Sequence, residues 1–307
     1  MDPSPAPTHG NETILERLVA ATMLSTLRAT RDWPHPARRR LFAGMMARVW
    51  APLLGWPGAI DQTLTLVRPT LTRSERRRLA RQAATHAGAG LADLLSPADF
   101  AGLLQDTPIM GPGVAAMKAA ARAGKGAVLV TAGLGLPDAI MGALAARGLP
   151  VARQSASCNL NPLDRRIEHA RAALGGTFFP AGDAGLRALE AHVAGGGLGV
   201  IRADETDAGG TPVRLFGARV RAPRFPAAIA LRTHTDLIPT FALKRPDGGY
   251  GIWMAPAIEH AAPDDMLQAF LDSLEGVIGG HMDQFFWAEP RWQPERYLNC
   301  AAPSTGP

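Results

Sequence analysis

The sequence predicts an α/β protein: a mixed, mainly parallel sheet with helices on both faces, preceded by a helical N-terminal portion. Three observations carry this reading. From about residue 12 to 125, Ala, Leu and Arg recur at helical spacing with Pro or Gly between segments. After residue 126 short apolar runs at 127–131, 149–152, 198–203 and 237–243 alternate with helical stretches at 138–147, 162–174, 184–194 and 224–233, the alternation that builds a parallel sheet covered by helices. The 307 residues, 47% of them apolar, suffice for a substantial core.

The opening "MDPSPAPTHGNE" (1–12) and a closing segment (296–307) ending in "AAPSTGP" have little to bury and read as tails. Between them the sequence divides into a helical portion, 13–125, and an α/β portion, 126–295. The clearest helix is "LTRSERRRLARQAATHAGAGLADLL" (71–95), with Thr72 or Ser74 as cap and Leu79, Ala83, Ala87 and Leu91 forming one apolar stripe. "AVLVT" (127–131) carries no charge and reads as a buried strand, stopped by Gly133, Gly135 and Pro137. In α/β folds such stops at the carboxyl ends of strands are where sites are built, here beside Val130 and Ala203. Gly209–Gly210 and "VRLFGARV" (213–220) suggest a loop and a hairpin. An amphipathic stretch, 264–279, precedes Trp287, Arg291 and Trp292, read as a packing element.

Charge is uneven. Residues 1–131 hold 16 Lys/Arg against 9 Asp/Glu, and residues 132–307 hold 16 against 18, so the net charge of +5 is an N-terminal excess. "PARRRL" (36–41) and "RSERRRLARQ" (73–82) carry most of it. A basic face of this kind suits phospholipid headgroups or an acidic protein, or is simply solvated; no nucleic-acid motif or aromatic interleaving accompanies it. The apolar stretches 14–27 and 41–56 are interrupted by charge or Pro and are too short to span a bilayer, yet Trp33, Trp50 and Trp56 near Arg28, Arg31 and Arg38–Arg40 suit a membrane interface. Cys158 and Cys300 give neither a disulfide framework nor metal-ligand spacing, and no signal peptide is visible. "RAGKGAVLV" (122–130) lacks the P-loop spacing and leads into a strand, which excludes nucleoside-triphosphate binding there.

Four stretches stand out together: "TAGLGLPD" (131–138), "NPLDRRIEHARAALGG" (161–176), "GLGVIRADETDAGGTPVRLFG" (197–217) and "FFWAEPRW" (285–292). In this order and spacing, and with "LVRPTLTRSERRRLAR" (66–81) before them, the chain resembles the lipid A biosynthesis acyltransferases, lauroyl and myristoyl transferases related to lysophospholipid acyltransferases. The resemblance covers roughly residues 40–295. It implies a glycerolipid-acyltransferase-like fold and transfer of a fatty acyl group from an acyl carrier protein or coenzyme A thioester to a hydroxyl or amine of a lipid. It implies no cofactor and a peripheral place at the cytoplasmic face of the inner membrane.

The family motif is His-x-x-x-x-Asp/Glu directly after the strand that ends here at Thr131. The pair suits the chemistry because an attacking hydroxyl must lose its proton, which an imidazole held by a carboxylate can take near neutral pH. In this sequence the carboxylate is Asp138 and the His position is Gly133. His169 is the first candidate to approach in space, ahead of His192, His234 and His260. Arg171 lies where the family has an Arg that can bind a phosphate or carboxylate of the acceptor, with Arg165 and Arg166 as alternatives by a turn of helix. Asp204 corresponds to the strand-end Asp of the family, and Glu205 replaces an amide-bearing neighbour. Three explanations of Gly133 stand: a silent binding protein on this fold, a transferase whose neutral amine acceptor needs less help than a hydroxyl, or a deliberately inactivated chain.

Overall fold

The computed structural model describes residues 13–155, 162–204 and 210–288. Helices form the N-terminal portion. α1 (Ile14–Ala29) starts at a capping box of Thr13 and Glu16. α2 (His35–Met45) runs through a π-helical turn (Met46–Trp50) into the short α3 (Ala51–Leu53), and α4 (Trp56–Val67) follows. α5 (Arg73–Leu94) is capped by Thr72 rather than Ser74. The Glu75 amide donates to Thr72 Oγ1 at 3.3 Å, and the Thr72 amide donates to the Glu75 carboxylate at 2.7 Å. α6 (Pro97–Gln105), a two-residue strand β1 (Ile109–Met110) and α7 (Gly113–Arg122) complete this portion.

The α/β portion then runs β2 (Ala127–Thr131), α8 (Asp138–Ala145), β3 (Val151–Gln154), α9 (Pro162–Ala173), β4 (Thr177–Phe179), α10 (Asp183–Ala194) and β5 (Leu198–Arg202). The predicted hairpin is β6 (Thr211–Leu215) with β7 (Ala218–Ala222), antiparallel and separate from the main sheet. α11 (Phe225–Thr233), β8 (Asp236–Lys244), β9 (Tyr250–Met254), α12 (Pro263–Gly280) and a 3-10 turn (Met282–Gln284) close the described chain. The main sheet has seven strands in the order β1-β9-β8-β2-β5-β3-β4. Its pairings are parallel except β8 with β9.

β2 is buried along its whole length and feeds both faces. Val128 and Val130 point into a cluster with Ile60, Leu64 and Ala83 of α4 and α5 and with Phe270 of α12, while Ala127 and Leu129 point into one with Phe100, Met117 and Ile140. This period of two with both sides apolar is what a central strand requires. The helical portion and the sheet therefore share one core. Its most polar element is Asp93 of α5, excluded from solvent, against Arg39 Nε at 2.7 Å, His35 Nε2 at 3.0 Å and the Tyr250 hydroxyl at 2.5 Å. Burial first, then the negative Asp93, holds the Tyr250 hydroxyl well above the ordinary phenol range.

Candidate active site

β2 ends at Thr131, beside the end of β5, and the two strands pair from Ala127–Leu198 to Thr131–Arg202. Whatever follows Thr131 therefore meets whatever follows Arg202. Residues 132–137 make the turn, and α8 begins at Asp138, which places a carboxylate in the first turn of a helix, where the dipole favours it.

The two glycines of the turn differ. Gly135 has φ +64°, and an added Cβ would lie 1.9 Å from the carbonyl oxygen of Ala242 in β8. Only glycine satisfies both conditions without moving the sheet. Gly133 has an ordinary φ, and an added Cβ would meet side-chain atoms alone: Arg202 Nη2 at 2.9 Å and Asp204 Oδ2 at 3.3 Å. The backbone at 133 accepts a side chain; its neighbours occupy the space.

The Gly133 amide donates to Asp204 Oδ2 at 2.8 Å, and Arg202 Nε donates to Asp204 Oδ1 at 2.7 Å. Asp138 is held elsewhere. Arg171 Nε of α9 and Arg153 Nη1 of β3 donate to its Oδ1 at 2.8 and 2.9 Å, and Arg171 Nη1 also donates to Glu168 at 2.6 Å. Burial alone would raise the Asp138 carboxyl. Arg171 and Arg153, with Arg202 farther off, outweigh burial and hold it below the ordinary carboxylate range. The same pairing pushes Arg171 above the ordinary guanidinium value against the opposing effect of burial.

The structure thus brings Gly133 and Asp204 into contact, and Asp138 and Arg171 into contact, as two adjoining ion-paired groups. The carboxylate nearest a side chain at 133 is that of Asp204, whereas the motif spacing had paired this position with Asp138. Arg171 donates to Asp138 and Glu168. Arg166 lies exposed on α9, as does His169, and Glu205, Cys158, Arg291 and Trp292 lie outside the described residues. His192 and His260 bond main-chain oxygens of Pro150 and Thr235, and His234 ends α11 in a left-handed conformation. Trp287 is fully buried against Phe285, as expected of a packing residue.

Sequence reasoning missed Arg153, Arg202 and His86. Arg202 could have been found, because residues two apart in an extended segment point the same way and "RAD" puts Arg202 beside Asp204. His86 of α5 pairs with Asp283 at 2.9 Å. The adjacent Gln284 carbonyl accepts from the Gly135 amide at 2.9 Å, which joins this pair to the Gly135 end of the turn. Burial lowers the His86 pKa, against the opposing effect of Asp283.

Beside the turn, Phe286 donates its amide to the Gly133 carbonyl at 2.8 Å, and its ring meets Trp56 edge-on at 4.9 Å. Trp56 lines a groove of about 290 Å³ with Ala51, Pro52 and Pro57, and Arg77 and Arg81 line it too. A larger cleft, about 420 Å³, lies at the far end of α8 and has no charged lining. Among the described residues no group of His, Cys, Asp and Glu is arranged to hold a metal ion, and no helix is long and apolar enough to cross a membrane.

No curated protein matches the chain. The sequence model of the bacterial lipid A biosynthesis acyltransferases matches residues 12–294, which include the helical portion, the seven-stranded sheet and the turn at 133–138, and the chain belongs to that family.

Proposed function

We propose that this protein acts on a fatty acyl thioester, of acyl carrier protein or coenzyme A, and on a hydroxyl or amine of a lipid acceptor at the turn following β2. Any transfer is far slower than a histidine-equipped site would give. In that reaction the acceptor oxygen or nitrogen bonds to the acyl carbon, the carbon–sulfur bond breaks, and the acceptor proton ends on the departing thiol. The observation that carries the proposal is the turn itself: a strand-end position whose backbone would accept a side chain, touching Asp204 and followed by Asp138 at the start of α8, in a chain of the acyltransferase family. The groove at Trp56, with its arginines, suits an acyl chain beside a phosphate.

Peripheral membrane association belongs to the same proposal. Exposed Ile14, Leu15 and Leu18 at the start of α1, with Trp33 and Leu53, stand on the portion that carries the basic excess. Apolar anchors amid arginines suit the inner face of a membrane.

One observation favours a second reading, a binding protein that no longer transfers. Asp138 is occupied by two guanidinium groups and Asp204 by Arg202 and an amide, so neither carboxylate stands as a free proton acceptor. Loss of a general base costs about 10²–10⁴-fold in rate. The test is release of thiol from acyl-carrier-protein and coenzyme A thioesters with hydroxyl and amine lipids. Slow turnover abolished by Asp204→Ala supports a transferase, and thioester binding without turnover supports the second reading. Neither binding nor turnover overturns the proposal. For the membrane, flotation with anionic vesicles is expected at low salt and to weaken at high salt; absence of flotation in both contradicts it.

A further inference from the structure

We infer that Arg202 occupies the place of a side chain at position 133, so that Gly133 and Arg202 together form a lock on Asp204. An added Cβ at 133 lies 2.9 Å from Arg202 Nη2, closer than Cβ atoms approach a neighbour, and 3.3 Å from Asp204 Oδ2. The guanidinium and the Asp204 carboxylate thus both lie against the point from which a side chain at 133 would extend, with the guanidinium the nearer of the two. Arg202 holds that carboxylate through Nε at 2.7 Å, and the Gly133 amide holds its other oxygen at 2.8 Å. Three features of the chain agree: a small residue at 133, a long cation at 202, and a carboxylate at 204 bonded to both.

The consequence is chemical. A guanidinium is protonated at every pH a protein survives, so the group in this position can donate hydrogen bonds but cannot take a proton. An imidazole introduced at 133 would stand against that cation. Arg202 is thereby a positioning residue: it fixes Asp204 and denies position 133 the use of it. Restoring a base then requires two substitutions, one at 133 and one that shortens or neutralises residue 202. Methionine suits 202, because it keeps the unbranched stem without the charge. The inference rests on the reading of this turn as the reacting centre, but its geometry can be tested without turnover.

The experiment is an NMR pH titration of the imidazole at position 133 in Gly133→His and in Gly133→His/Arg202→Met. Beside Arg202 the imidazole is expected to titrate below the ordinary histidine value of about 6.5, and beside Asp204 without Arg202 above it. The two variants should differ by at least about one pH unit, a tenfold change in proton affinity. Values that agree to within about 0.3 unit would overturn the inference. If a histidine variant fails to fold, thermal unfolding of Gly133→Ala, Arg202→Met and the double variant replaces it. The lock predicts that Gly133→Ala costs less when Arg202 is already Met, and additive costs would overturn it. A shifted titration with no turnover in any variant would leave the lock standing and count against the transferase reading alone.

Discussion

Two positions of the turn between β2 and α8, Gly133 and Gly135, are both glycine, and they are glycine for different reasons. At the Gly135 end the backbone dictates the residue: φ is +64° and the Ala242 carbonyl lies 1.9 Å from any Cβ. The segment 284–286 is stitched to both positions, since the Gln284 carbonyl accepts from the Gly135 amide and the Phe286 amide donates to the Gly133 carbonyl. At the Gly133 end the backbone is ordinary, and what crowds the position is two side chains, the guanidinium of Arg202 and the carboxylate of Asp204. Fold needs the first glycine. The second is crowded by side chains rather than fixed by a left-handed backbone or a neighbouring carbonyl, so the two positions differ in kind within three residues.

The largest effect that would sharpen this contrast is that of Gly135→Ala. It combines a left-handed conformation, about 1–2 kcal/mol for a residue with a Cβ, with a collision against sheet backbone, so we expect a loss of about 3 kcal/mol or more in denaturant unfolding. A near-neutral result would mean that the turn yields more easily than its geometry implies.

Asp138→Ala comes next. Removing one partner of a buried ion pair costs about 3–5 kcal/mol, but Arg153 and Arg171 keep 20% and 21% of their side chains in solvent. The expected loss is therefore about 2–3 kcal/mol. Because the folded carboxyl is held below its unfolded value, its contribution is complete above about pH 4. It is lost as pH falls through the depressed folded value. Asp138→Asn should accordingly flatten the acid limb of a stability–pH curve, and an unchanged acid limb would break the account of this cluster.

The smallest effect is that of Gly133→Ala, which asks that the ends of two side chains, Arg202 and Asp204, shift slightly. A loss below about 1 kcal/mol is expected. A loss equal to that of Gly135→Ala would erase the distinction between the two ends.

Much of this organisation was legible in the sequence. The uncharged run 127–131 could only be a buried strand, and the helices beginning near 138, 162, 184, 225 and 263 follow from apolar periodicity. The Thr72 cap was one of two alternatives because Thr72 and Ser74 both precede the apolar stripe; the carboxylate of Glu75, three residues after Thr72, decides between them. Three strands were not read. β1 has two residues and β4 has three, too few to show a period, and β9 is short and lies next to an edge. At the site, Asp138, Asp204 and Arg171 were legible as residue types in a pattern. Of their partners, Arg202 had a signal in "RAD", whereas Arg153, near the end of a short strand, reads simply as a strand-end residue. Which carboxylate lies nearest position 133 depends on the pairing of β2 with β5, a contact between segments 71 residues apart.

The central claim is that chemistry at this turn is limited by position 133 and the guanidinium that fills its space. The most direct measurement is the rate of thiol release from a saturating acyl thioester in the presence of a lipid acceptor, by the native chain and by Gly133→His/Arg202→Met. The account predicts at least about 100-fold faster release by the double variant, the lower bound for a restored general base. Equal rates in two folded proteins would contradict it.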